Sequence, residues 1–167
     1  IGKVNSAQAN AELCDLIAST LLRCGLKKNQ FTIYLSNRKI IQGFLKQLGI
    51  TDPNQEVKTI RSIDKLSRVG IKGVVELLQK GRKVNSGAFT KGANLSIDQT
   101  EKIREFLETT IEIKSFDLSK FSKSIIDIEK FLTNDLSQEG INEINQLFEI
   151  LNYSKFKNQM NTDFSIC

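Results

Sequence analysis

Between Gln79 and Asn94 the chain reads Gln-Lys-Gly-Arg-Lys-Val-Asn-Ser-Gly-Ala-Phe-Thr-Lys-Gly-Ala-Asn. Four cations, Lys80, Arg82, Lys83 and Lys91, fall in this tract with no acid among them. Such side chains can hold phosphates as point charges. Phe89, between Lys83 and Lys91, has a ring that can stack on an exposed base. The competing reading is a solvated loop with Phe89 tucked into the core. Gly81, Gly87 and Gly92 match neither the dinucleotide nor the P-loop spacing, and they do not abut a helix start as a phosphate cradle does. By composition the tract is a loop, and its length makes it either functional or disordered.

Other chemistry is scarce. The chain has no His, which removes the usual general base and every Ser-His or Cys-His pair. Cys14, Cys24 and Cys167 are an odd, scattered set. They read as reduced thiols of a cytosolic protein rather than a disulfide framework or a zinc site. No metal ligands are therefore expected. Asn37-Arg38-Lys39 stands where a strand gives way to a helix. It reads as a cap plus two solvated cations, with a place in a site as the alternative. Asp163 and Ser165 alternate with apolar residues near the end. They would face either a ligand or solvent, and no catalytic pair can be formed from them.

The elements that must position these residues follow from apolar spacing. Ala9 to Cys24 predicts an amphipathic helix with Leu13, Leu16, Ile17, Leu21 and Cys24 as its buried stripe, stopped by Gly25. Phe31, Ile33 and Leu35 alternate as a strand. A helix over 39–48 buries Ile40, Ile41, Phe44 and Leu45. Asp52-Pro53 opens the next helix, with Val57, Ile60, Ile63 and Leu66 on one face. Gly70 breaks it before a short helix through Leu78. Ser96 and Gln99 form a capping box for a helix carrying Ile103, Phe106 and Leu107. Further helices carry Phe121, Ile125, Ile128 and Phe131, and then Ile141, Ile144, Leu147, Phe148 and Leu151. Met160 to Ile166 alternates as a last strand. Two strands make a marginal sheet by themselves, so both are expected to belong to a larger one, with the helical block inserted between them.

The composition, 40% hydrophobic and 26% charged over 167 residues, is that of a soluble globular protein. No run approaches a membrane span, and no leader is visible. The chain opens on Ile1, which reads as excision from something longer. Its charge is uneven: residues 1–100 hold 16 Lys and Arg against 7 Asp and Glu, and residues 101–167 hold 8 against 12. A basic first part suggests a polyanion nearby, most simply nucleic acid.

Several stretches, in order, resemble the histidyl-tRNA synthetases. Ile1-Gly2 with Ala11-Glu12-Leu13 is similar to the segment after that family's motif 2. Asn37-Arg38-Lys39-Ile40-Ile41-Gln42-Gly43-Phe44-Leu45, then Leu48-Gly49-Ile50, resembles its Asn-Arg-Lys-Ile/Val-Leu-x-Gly step. Ile63-Asp64-Lys65-Leu66 resembles the Asp-Lys-Leu of the insertion domain. Gly81-Arg82-Lys83, Ser86-Gly87 and Phe89-Thr90-Lys91-Gly92-Ala93 look like the alphaproteobacterial variant. Asp163 to Cys167 resembles the strand that runs into the family's Arg-Gly-Leu-Asp/Glu-Tyr-Tyr motif.

The resemblance implies an α+β, mostly helical chain. Residues 1–50 would be part of a class II catalytic core with an antiparallel sheet, 51–152 an all-helical insertion domain, and 153–167 a return strand of the core. It also implies a parent enzyme, a homodimer in the cytoplasm, that activates histidine with ATP and Mg²⁺ and ligates it to tRNA(His). The insertion would lie near the tRNA acceptor arm, with Lys80, Arg82, Lys83 and Lys91 as its contacts. The family's catalytic residues fall upstream of Ile1 or beyond Cys167, so none is placed here and the chain alone is expected to be inactive. Two alternatives remain: the synthetase-like regulatory subunit of ATP phosphoribosyltransferase, and a non-enzymatic helical nucleic-acid-binding module.

Overall fold

Our computed structural model describes residues 5–83, 87–113 and 121–166, with side chains for all of these except 112–113 and 121–124. The first helix, α1 (Ser6–Arg23), begins at Asn5, whose side chain accepts from the N–H of Ala7 at 3.0 Å. Its buried stripe is not the expected one. Ala7, Ala11, Cys14 and Ala18 face inward, while Leu13, Leu16 and Ile17 are 53%, 62% and 40% exposed. Both sets recur at helical spacing, so period alone does not select between them. The small residues are the ones on the side where α1 packs on the rest of the protein.

This reversal has a direct test. Leu16→Ser should change the chain's unfolding free energy by less than about 0.5 kcal/mol, as surface changes do. Ala18→Leu, at a fully buried site, should cost about 1–3 kcal/mol by overpacking. Urea unfolding of the two variants gives the order, and the opposite order would reinstate the larger stripe.

Strand β1 (Ile33–Leu35) leads into α2 (Arg38–Gln47), which is capped by Asn37 accepting from the N–H of Lys39 at 2.9 Å. The expected Ile40, Ile41, Phe44 and Leu45 are all buried. Gly49, at φ +76°, ends the helix. Its N–H donates to Lys46 O at 2.9 Å, and that of Ile50 donates to Leu45 O at 3.0 Å. This pairing satisfies the last carbonyls and needs a left-handed residue at position 49.

Helix α3 (Pro53–Ile63) starts as the sequence implies, with Asp52 accepting from the N–H of Gln55 at 2.8 Å. Val57 is exposed, and Leu66 opens the next helix rather than lining this one. α4 (Leu66–Leu78) is interrupted at Gly70, where φ is 67° and ψ 174°. Strands β2 (Gly81–Lys83) and β3 (Phe89–Lys91) follow, then α5 (Ile97–Ile113). Ser96 and Gln99 cap α5 reciprocally, each accepting from the other's N–H, at 3.2 and 3.0 Å. α6 (Phe121–Glu129), α7 (Asp135–Leu151) and β4 (Met160–Thr162) complete the described chain.

The two end strands pair with each other, and in parallel: Ile33 faces Met160, Tyr34 faces Asn161 and Leu35 faces Thr162. The resemblance implied an antiparallel sheet. The connection between these two strands is a long, largely helical crossover, which returns the chain running in the same direction, as parallel pairs require. β4 is also shorter than the alternation suggested. After Thr162 the chain turns, held by Asp163 Oδ1 accepting from the N–H of Ser165 at 3.0 Å. A second correction concerns residues 51–152, expected to be all helical. Residues 79–94, read as a loop, contain the antiparallel hairpin β2–β3.

One apolar core runs through the molecule. It joins Ala11, Cys14 and Ala18 of α1, Phe44 of α2, Ile63 of α3, Leu78 of α4, Phe106 of α5, Ile128 of α6 and Phe148 of α7 to Met160 and Phe164. α7 packs on α1 and α2. No described helix is long and apolar enough to cross a membrane.

Candidate nucleic-acid interface

The hairpin is rooted in the core at its base. The N–H groups of Ala93, Asn94 and Leu95 donate to the carbonyls of Leu77, Gln79 and Leu78 at 2.9, 2.8 and 2.9 Å. These bonds satisfy the carbonyls that the end of α4 would otherwise leave unpaired. Ala93 and Leu95 are buried, and Gln55 of α3 donates to Ala93 O at 3.1 Å. The projecting strands are therefore held by two helices.

Register sorts the four cations. Gly81 faces Lys91, Arg82 faces Thr90 and Lys83 faces Phe89. Directly opposed residues share a face, as do residues two apart on one strand. Lys83, Phe89 and Lys91 thus lie together on one face, and all three are exposed. Arg82 and Thr90 occupy the other face and are half-buried. The Arg82 guanidinium reaches over Gly73 of α4, and its Nε lies 3.4 Å from a carboxylate oxygen of Glu76, an ion pair without hydrogen-bond geometry. Lys80 is exposed at the foot of β2. No ion pair among the described residues involves Lys80, Lys83 or Lys91. Three of the four predicted cations are thus free to meet an anion, and the fourth is tied to α4.

The hairpin had a signal in the sequence: Asn-Ser-Gly-Ala is flanked by Arg-Lys-Val and Phe-Thr-Lys, a turn signal between short runs containing β-formers. Three glycines and four cations in so short a tract outweighed it.

The other candidates resolve into structural roles. Asn37 caps α2 and also donates to Glu143 of α7 at 2.6 Å. Lys39, expected to be solvated, bridges Glu139 and Glu143 at 2.6 Å each, while Arg38 is exposed. These bonds raise the Lys39 ammonium above its usual range, mainly through Glu139, and lower the Glu143 carboxyl, mainly through Lys39. Asp163 and Ser165, expected on a polar strand face, are buried in the turn after β4. Cys14 is buried, and burial pushes its thiol up, with Asp15 adding to the effect. Cys24 is exposed and free, and Cys167 lies outside the described residues.

Curated proteins resemble this chain over nearly all of its length. One from Pelagibacter ubique, named histidine–tRNA ligase, is 47% identical over 168 residues, covering 99% of this chain and 33% of that protein. One of the same name from Bartonella bacilliformis is 32% identical over 165 residues, covering 97% and 32%. The homologues of this chain are histidine–tRNA ligases.

A third such ligase, from Jannaschia sp., is 32% identical over 87% of the chain. The chain spans about a third of the length of the curated histidine–tRNA ligases it matches. No family model and no solved structure matches it. The stretches that resemble histidyl-tRNA synthetases thus lie within a match that extends over nearly the whole chain.

Proposed function

We propose that this chain forms the part of a histidine–tRNA ligase that meets the acceptor arm of tRNA(His), and that the hairpin carries the contact. The observation behind this reading is the pairing of Lys83 with Phe89, which gathers Lys83 and Lys91 on one exposed face with Lys80 at its foot. These cations, with Arg82 behind them, would neutralise phosphates and so position the RNA without reading its sequence. In this reading residues 1–50 and 153–167 belong to the class II core, joined by β1 and β4, and 51–152 form the inserted domain. The complete enzyme would be a cytoplasmic homodimer that makes histidyl-adenylate from histidine and ATP with Mg²⁺ before transfer to tRNA.

Among the described residues no group of three His, Cys, Asp or Glu could hold a metal ion. Among the described residues no glycine-rich turn feeds a helix start in the way a phosphate cradle requires. No catalytic role is assigned to any residue here, and the chain alone is expected not to adenylate histidine.

Charge removal in the complete ligase tests the contact. Each phosphate left without its cation should lower the slope of log affinity against log salt by roughly 0.7–0.9. Replacing Lys80, Lys83 and Lys91 together by Gln should therefore flatten the slope by about two units and weaken tRNA binding. Histidine-dependent pyrophosphate exchange without tRNA should stay near the parent rate. Arg82→Gln alone should change the slope least, because Glu76 already neutralises it. An unchanged slope in the triple variant would leave the hairpin as a solvated projection.

A further inference from the structure

Phe89 poses a separate question. A phenylalanine 58% exposed on a two-stranded hairpin gives up burial that such a ring normally gains. Its surroundings are specific. Lys83 lies directly across the strand and Lys91 two residues along, on the same face. These neighbours stand about 5 and 7 Å away. The position opposite Lys91 is Gly81, which has no side chain to cover the ring. The half-buried Arg82 and Thr90 are on the far face. An apolar ring is thus open to solvent between two cations that no described carboxylate pairs with.

We propose that this face binds single-stranded RNA, with an unpaired base stacked on the Phe89 ring and its neighbouring phosphates held by Lys83 and Lys91. The inference deepens the tRNA-contact reading and rests on it. A duplex hides its base faces within the stack, so only an unpaired nucleotide can offer one to the ring. Phe89 has no hydrogen-bonding group, so it cannot read base edges. The contact is therefore tolerant of sequence and selective for strandedness. The hydrogen bonds that root Ala93, Asn94 and Leu95 on the end of α4 keep the face in place, so little order has to be acquired on binding.

The chain has no Trp, so Phe89→Trp places a single indole, excited selectively at wavelengths the tyrosines do not absorb, at the point of contact. The probe is a single-stranded oligoadenylate of about twelve nucleotides, within the range of lengths that single-strand-binding sites span, added to the full 167-residue chain at low salt. Saturable quenching is expected with the single strand, and much weaker quenching with the oligoadenylate–oligouridylate duplex at equal phosphate concentration. Phe89→Ala should weaken single-strand binding about tenfold and leave the salt slope unchanged. Lys83→Gln with Lys91→Gln should instead lower that slope by about 1.4. Because Phe89 is exposed, both Phe89 variants should retain the parent's circular dichroism. If the indole of the Phe89→Trp variant is not quenched, or Phe89→Ala binds as tightly as the parent while the lysine pair still lowers the slope, stacking is overturned and the phosphate contact survives. If neither ring nor lysines matter, both readings fall.

Discussion

Phe106→Ala should cost about 3–5 kcal/mol of unfolding free energy, as truncation of a fully buried aromatic does. Phe106 is completely buried in α5. Its ring stacks on Phe44 of α2, with centroids 4.7 Å apart and planes 26° apart, and meets Phe131 edge-on at 5.9 Å and 90°. Phe44 and Phe131 are themselves edge-to-face at 6.3 Å. The three rings tie α2 to α5 and to the turn after α6, so truncating one leaves a cavity that two rigid neighbours cannot close. Aromatic pairs of this geometry add about 0.5–1.5 kcal/mol each beyond the area they bury. A small domain loses about 1–3 kcal/mol of stability per molar urea, so the midpoint should fall by roughly 1 M or more. A decrease under about 1 kcal/mol, far below the usual cost of such a truncation, would mean that the rings do not meet as described.

Gly43→Ala should be nearly as damaging, although it adds a single methyl group to a helix. A Cβ at this position would stand 2.6 Å from the backbone nitrogen of Ser137, 2.7 Å from its Cβ and 2.7 Å from Oδ1 of Asn134. Two of these atoms belong to the start of α7 and the third to its cap. Asn134 accepts from the N–H of Ser137 at 2.9 Å and donates through its amide to Gly43 O. The methyl would push α2 off α7 and disturb that cap together. Overpacking costs about 1–3 kcal/mol, and removal of an N-cap adds about 1 kcal/mol. In an exposed helix the same change would stabilise by about 1 kcal/mol. The sign of the change in thermal midpoint therefore reports the close approach directly: a fall is expected, and a rise would place Gly43 on a free surface.

Much of the helical framework was legible in the residues. Asp52-Pro53, Ser96 with Gln99 and the glycine stop at Gly49 occupy the roles their chemistry implies, because a cap is satisfied within three or four residues of itself. The buried faces of α2 and α7 were legible as well, since each carries only one apolar stripe. The interface was less legible. The tract of four cations drew attention from composition alone, but whether those cations act together depends on which residue opposes which across the hairpin. Strand register there rests on a few residues facing the right partners, and three-residue strands carry too short an alternation to declare it. Arg82 looked equivalent to its neighbours and is not, because Glu76 and Gly73 of α4 lie behind it.

By itself the sequence determined where α2, α3 and α5 begin and where α2 ends, the uneven distribution of charge and the kinship with histidine–tRNA ligases. These are properties of local chemistry or of residue order. Tertiary structure alone decided three further matters. α1 turns Ala7, Ala11, Cys14 and Ala18 to the core and leaves its leucines outward, a choice between two helical stripes that periodicity does not contain. The end strands run parallel because the chain between them forms a crossover rather than a hairpin. Lys83 shares a face with Phe89 and Lys91 because cross-strand hydrogen bonding pairs it with Phe89, whereas spacing along the chain fixes only that Phe89 and Lys91 lie together.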